Sequence, residues 1–99
     1  MQNRNAPIDR EEAELVGVRA LQFVASDPQL LGRFLALSGL EADQLRARVR
    51  EPGFFAGLLD FLLNHEPTLL AFSADAAIDP QVVRRARAAL ADGYGVTED

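Results

Sequence analysis

The 99-residue sequence contains no cysteine. This absence excludes disulfide bonds, thiolate metal sites and cysteine nucleophiles. Lysine is absent as well, so all ten basic residues are arginine. The chain has fifteen acidic residues, five more than its basic ones. The formal net charge of −5 repels phosphate backbones and anionic membrane surfaces unless the arginines are clustered.

Targeting signals and long apolar runs are also missing. The segment 1–7 is mostly polar where a secretory signal peptide would be apolar. No apolar run approaches the ~20 residues that a membrane-spanning helix needs. Hydrophobic residues still make up 48% of the chain, enough for a packed core. We therefore expect a cytoplasmic protein with one helical domain at 9–92, a flexible N-terminus at 1–8 and a flexible tail at 93–99.

Helix signals are dense, whereas the sustained alternation typical of strands is absent. Asp9 followed by Glu12 predicts a capping box that opens a first helix. Asp27 before Pro28 predicts the start of a second helix, and Gly39 predicts its end. The predicted helices cover about 9–26, 27–39, 42–50, 54–64, a stretch from 66 onward, and 79 to just before Gly93.

Two parts of the sequence resemble each other. The run Asp-Pro-Gln-Leu-Leu at 27–31 returns as Glu-Pro-Thr-Leu-Leu at 66–70, and 40–46 returns as 78–84. Repeated helical units usually bury their apolar faces against each other. The predicted fold is therefore all-α, a compact six-helix orthogonal bundle made of two pseudo-repeated three-helix units at about 9–50 and 53–92.

The helix at 53–65 is predicted to be central because large apolar side chains occupy nearly all of its directions. Its small or polar residues form one narrow stripe, in which Gly53 and Gly57 are spaced like a close helix-packing contact. The last helix is amphipathic. Its residues Val82, Val83, Ala86, Ala89 and Leu90 are predicted to face inward, and Arg84, Arg85 and Arg87 outward.

His65, the only histidine, is the first candidate for chemistry. It falls at the end of the fourth helix, on the side of Phe54, Leu58 and Phe61. A histidine can shuttle protons or bind a metal, but no second set of ligands with recognisable spacing is present, and Glu66 alone is too little. The other interpretation is a helix C-terminal histidine near the negative end of the dipole, packed partly on aromatic rings.

No catalytic, cofactor-binding or metal-binding residue is predicted. Ser26, Ser38 and Ser73 lie in no nucleophile motif. Asp27, Glu66 and Asp79 are interpreted as helix caps, and Asp60 as part of the polar stripe. We therefore expect no enzyme, although an enzyme with an unrecognised site stays an alternative.

A helix-turn-helix unit around 30–50 is the nucleic-acid alternative, because leucines flank the glycine turn at 35–48. The clusters Arg46, Arg48, Arg50 and Arg84, Arg85, Arg87 could meet phosphates. The first residues of the predicted recognition helix include Glu41 and Asp43, however, which repel phosphates. Nucleic acid is therefore the less favoured partner.

The favoured function is a non-catalytic protein-interaction domain. If the short neighbouring helices do not cover all of the apolar fourth helix, the remainder pairs with a partner protein or with a second copy. If the core buries all of that apolar surface, the protein is a monomer. Counting apolar residues does not distinguish an interface from a core.

A family resemblance runs through much of the chain, from about Glu12 to Leu90. It is carried by 27–40, by Leu45-Arg46-Ala47-Arg48 and by the run 54–63, which reads FFAGLLDFLL. This pattern resembles domain-of-unknown-function family 3572, small bacterial proteins found mainly in alphaproteobacteria. Where such proteins often carry Asp-Pro, this chain has Glu41-Ala42. The resemblance implies an all-helical cytoplasmic domain and brings no activity or site residue with it.

Overall fold

The computed structural model describes residues 8–95 of the chain, and over these residues it contains six α-helices and no strand. This confirms the predicted all-α class and the number of helices. The arrangement as two pseudo-repeated units stays a prediction. The helices are α1 Arg10–Ala25, α2 Pro28–Ser38, α3 Leu45–Arg48, α4 Phe54–Leu63, α5 Glu66–Ala76 and α6 Pro80–Gly95, with a 3-10 turn at Ala42–Gln44 directly before α3.

The first two helices begin and end where the sequence predicts. The Asp9 carboxylate accepts a hydrogen bond of 2.8 Å from the Glu12 backbone N–H. The Asp9 backbone N–H in turn donates to the Glu12 carboxylate at 3.4 Å, which completes the capping box. Asp27 caps α2 through its carboxylate alone, which accepts from the backbone N–H groups of Gln29 and Leu30. Gly39 ends α2 in the left-handed region at φ 75°, which glycine adopts without a Cβ penalty.

The predicted third helix at 42–50 is wrong in its extent. Only a 3-10 turn and the four residues of α3 form there. Beyond α3, the N–H groups of Arg50 and Glu51 donate to carbonyls three residues back, which tightens the chain into turns. The α-helical hydrogen bonds therefore end with the one from the Val49 N–H to the Leu45 carbonyl.

Two other predicted boundaries also differ. His65, rather than Glu66, is the N-cap of α5, and Glu66 is its first helical residue. The last helix continues through Gly93, at which its end was predicted, to Gly95, because a single glycine costs a helix only about 1 kcal/mol. Residues 1–7 and 96–99 of the predicted flexible ends lie outside the described residues, while Ile8 packs partly against the core.

The core is built around α4, as predicted. Six of its ten residues are buried, and it packs against α1, α5 and α6. The structure adds that α1 shares this central position, because it packs against α2, α4, α5 and α6. The buried α4 side chains are Phe54, Ala56, Leu58, Leu59, Phe61 and Leu62.

A glycine does allow a close helix contact, but it is not one of the two predicted. A Cβ placed on Gly17 of α1 would lie 2.7 Å from Cγ of Phe55 in α4. At Gly53 and Gly57 an added Cβ would meet nothing within 4 Å. The prediction of a packing contact at Gly53 and Gly57 is therefore wrong. Gly53 is instead the N-cap of α4, at φ 89°.

Candidate functional site

An open cleft runs between α2 and α4. Its volume is about 660 Å³, which lies within the usual size of ligand sites. The turn that joins α3 to α4 and the start of α5 complete its walls. The lining residues are Arg33, Phe34, Leu37, Ser38, Leu40, Arg48, Glu51, Pro52, Gly53, Phe54, Gly57, Asp60, Phe61, Asn64 and His65.

Three buried phenylalanine rings form the floor of this cleft. Phe34 of α2 meets Phe54 and Phe61 of α4 edge-to-face, with ring centroids 5.9 and 5.4 Å apart. Each such pair stabilises by roughly 0.5–1.5 kcal/mol beyond the burial of its area. The floor therefore exists before any ligand arrives.

The two sides of the cleft differ in how much side chain they present. Leu37 of α2 is 73% exposed, the highest exposure among the large apolar residues described. Across the cleft, Gly57 of α4 is exposed and has no side chain, and its Cβ position is empty to 4 Å. The exposed leucine and the missing side chain at Gly57, in a cleft with an aromatic floor, leave room for an apolar group of another molecule.

Most charges along the cleft are already paired. Asp60 on α4 accepts two hydrogen bonds from Arg87 on α6, of 2.6 Å from Nε and 3.0 Å from Nη2. The bond with Asp60 raises the pKa of Arg87 above its ordinary value, although burial opposes this shift. Glu51 pairs with Arg48 at 3.4 Å. Arg87 was predicted to face outward and Asp60 to belong only to a polar stripe, so this pair was not predicted.

Arg33 is the exception. Its guanidinium carbon lies 6.0 Å from the centroid of the Phe61 ring, at the edge of a cation–π contact. Among the described residues no carboxylate lies within ion-pair distance of it. Its positive charge at the cleft is therefore not neutralised by an acidic neighbour in the described part of the chain.

His65 lies in the cleft wall, half-buried, on the same side as Phe54 and Phe61, as its spacing predicted. Its Nδ1 is 2.6 Å from Oγ1 of Thr68, a buried residue that the sequence analysis did not single out. This bond fixes the ring at the start of α5. Over the described residues no group of three or more histidine, cysteine or acidic residues could hold a metal.

The three serines do not meet at this site. Ser26 and Ser38 donate to carbonyls of their own helices, Phe23 and Phe34, both at 2.8 Å. The Ser73 hydroxyl is buried and has no hydrogen-bond partner in the described part of the chain. None of the three serines is paired with His65.

The helix-turn-helix alternative loses its recognition helix. The second helix of the unit at 35–48 is α3, which has only four residues. A recognition helix must lie in the major groove and present several residues to base edges. Arg48 is paired with Glu51, and Arg87 in the other cluster with Asp60. The geometry therefore does not support a helix-turn-helix unit at 35–48, and the choice of partner stays a prediction.

A family model described as "Protein of unknown function (DUF3572)" matches residues 10–93. The chain belongs to the DUF3572 family. No curated protein and no solved structure matches it. The DUF3572 match spans all the residues that line the cleft. Within the described residues, no helix is long and apolar enough to span a membrane. Because the family description names no activity, function has to be argued from the cleft itself.

Proposed function

We propose that this DUF3572 protein is a non-catalytic protein-interaction domain whose α2/α4 cleft receives an apolar segment of a partner protein. The observation that carries the proposal is Leu37, 73% exposed above a preformed aromatic floor. Burying a leucine side chain contributes about 1.5–3 kcal/mol, and exposed apolar groups beside an aromatic pocket are typical of interaction sites.

The shape of the cleft supports a protein segment as its occupant. It lies between α2 and α4, helices of eleven and ten residues, and is open to solvent along α2, where Arg33, Leu37 and Ser38 are exposed. Helices of this length run for roughly 15 Å. An amphipathic helix or an extended peptide binds in such grooves through apolar residues on successive turns.

The polar groups of the cleft support a non-catalytic role. Both carboxylates in the cleft lining are paired with arginines, Asp60 with Arg87 and Glu51 with Arg48. A catalytic carboxylate must be free to act on a substrate. A bacterial and cytoplasmic setting also belongs to this proposal and rests on the family resemblance.

Site-specific photocrosslinking in living cells tests the proposed surface. A benzophenone amino acid at position 37 should crosslink this protein to a partner protein. Mass spectrometry should then locate the crosslink in an apolar segment of that partner. The same amino acid at Ala88, an exposed position of α6 outside the cleft, should not give this adduct. An adduct between two copies of this chain would identify the partner as a second copy.

Binding of the identified segment to the purified protein then provides the decisive measurement. Gly57→Trp fills the empty side of the cleft and should weaken binding by tenfold or more, on the order of 1.4 kcal/mol. Ala88→Trp is the matched control and should leave affinity unchanged. Equal adducts at positions 37 and 88, or unchanged affinity in Gly57→Trp, would contradict the proposal.

A further inference from the structure

Resting on the proposed function, we infer that the partner segment is acidic as well as apolar, and that Arg33 binds its carboxylate. The occupant is then a peptide segment with an aspartate or glutamate next to its apolar anchor residues. The inference rests on the position of the Arg33 guanidinium, which lines an aromatic cleft. No acidic residue in the described part of the chain neutralises its charge.

The paired charges of the cleft leave one positive charge over. The two acidic residues in its lining, Asp60 and Glu51, are each matched by an arginine. Both Asp60 oxygens accept bonds from Arg87, which approaches from α6. What remains is the positive charge of Arg33, so the cleft is complementary to an anion although the chain as a whole carries −5.

The surroundings of Arg33 favour binding of a carboxylate. Its guanidinium carbon lies 6.0 Å from the ring centroid of Phe61, a residue that is only 9% exposed, while Arg33 itself is exposed. A partner segment that covers the cleft would exclude water from this position and so strengthen a charge pair formed there. A guanidinium presents two parallel N–H donors that match a carboxylate, and such bonds are about twice as strong as neutral ones.

Arg33 also favours an acidic partner segment over a basic one. A basic segment would be repelled by Arg33 and would find the Asp60 carboxylate already occupied. An acidic segment is disfavoured by the net negative charge of the chain and attracted by Arg33 at the cleft. Arg33 therefore fixes where and in which register the partner binds, while the Phe34, Leu37 and Phe61 side chains supply apolar contact.

The test uses peptides, because the natural segment is not yet identified. Displayed peptides of random sequence, each long enough to form a helix, are selected for binding to the full chain. Peptides that also bind the Gly57→Trp variant are discarded. The selected sequences should combine large apolar residues with at least one aspartate or glutamate. One such peptide and its asparagine or glutamine counterpart are then synthesised, and their dissociation constants are measured by fluorescence anisotropy.

Arg33→Gln should weaken binding of the acidic peptide about tenfold and should leave the amide counterpart unchanged. Arg84→Gln removes the same charge from an exposed position outside the cleft and should change affinity by no more than about twofold. Arg33→Glu combined with a lysine in place of the peptide carboxylate should restore much of the lost affinity.

The outcomes separate the two proposals. Peptides that bind in a Gly57-dependent manner but do not respond to Arg33→Gln would overturn the carboxylate inference and leave the interaction cleft intact. Selection of basic or uncharged peptides would do the same. A selection that yields no cleft-dependent peptide would overturn both proposals. An equal loss of affinity in Arg84→Gln would reduce the Arg33 effect to overall charge and also reject the inference.

Discussion

Helices α2 and α5 follow the same local plan. Each has eleven residues, each has a proline in its first turn, and each ends in a left-handed residue, Gly39 or Ala77. In both, the N–H of that residue donates to the carbonyl four residues back. Counted from the first helical residue, Phe34 and Phe72 occupy the same position, and both are buried.

The two helices differ in what covers them. Packed against α1, α4 and α6, α5 buries Thr68, Leu69, Phe72 and Ala76. Only Phe34 of α2 is buried, while Leu37 extends into solvent. Local signals thus determine that both segments are helical, but neighbouring helices determine exposure. The apolar surface left on the edge helix is the surface that we assign to a partner.

The largest expected effect separates the buried phenylalanines. Phe72 is fully buried and meets Phe23 edge-to-face at 5.5 Å. Phe72→Ala should lower the free energy of unfolding by about 3–5 kcal/mol, because the covered site cannot collapse around the cavity. Phe34→Ala should cost ~3 kcal/mol or less, since the open cleft lets its neighbours and water fill the gap. Urea unfolding measures both.

An equal or larger loss for Phe34→Ala would break the distinction between an edge helix and a covered helix. The slope of the unfolding curve against urea should stay the same in both variants. A changed slope would mean that the compared states, rather than the packing alone, had changed.

A pair of glycines extends the comparison from the covered side to the cleft. Gly17→Ala should lower the free energy of unfolding by about 1–2 kcal/mol, because the new Cβ would meet both the Phe55 ring and its Cβ, at 2.9 Å. A rotamer change cannot relieve the second contact. Gly57→Ala should raise it by about 0.5–1 kcal/mol through helix propensity.

Thermal and urea unfolding of the two variants provide the measurement, and the opposite signs are the prediction. If both alanines stabilised the protein, α1 and α4 would not approach as closely as Gly17 and Phe55 indicate. If both destabilised it, the cleft beside Gly57 would be occupied by the protein itself.

The helix ends provide a smaller contrast. Ala77 adopts φ 57° where α2 has Gly39, and a Cβ is unfavourable in this region. Ala77→Gly should therefore raise the free energy of unfolding by about 0.5–1 kcal/mol, and Gly39→Ala should lower it by about 1 kcal/mol. Urea unfolding checks both values. No change in either variant would mean that the left-handed ends relax at no cost.

Much of this fold could be predicted from the sequence because its signals are local. The Asp9 and Asp27 caps, the Gly39 helix end and the apolar faces of α4 and α6 are set by residues within a few positions of one another. Local rules failed where several weak signals competed. The 42–50 segment has helical composition, yet it begins with a 3-10 turn and only Leu45–Arg48 is α-helical.

The site was less accessible because its contacts join distant parts of the chain. Asp60 and Arg87 are 27 residues apart, and Arg33 meets Phe61 only because the fold brings α2 near α4. Gly17 gave one usable signal, a glycine inside an apolar helical stretch, where it costs about 1 kcal/mol unless packing requires it. No comparable signal marks Leu37, since exposed and buried leucines look alike in a sequence.

The smallest expected effect on stability concerns Leu37 itself. Leu37→Gln exchanges one good helix former for another and removes little buried surface, because the side chain is 73% exposed. The free energy of unfolding should therefore change by no more than about 0.5 kcal/mol. Leu70 on α5, 50% exposed and outside the cleft, is the matched position, and Leu70→Gln should behave alike in urea unfolding.

The two variants should then separate in binding. Leu37→Gln should weaken capture of the partner segment, and Leu70→Gln should not, because only Leu37 lies over the aromatic floor. A loss of about 2 kcal/mol in the stability of Leu37→Gln would mean that another part of the chain covers this side chain. In that case α2 would be as well covered as α5, and the exposed surface assigned to the partner would not exist.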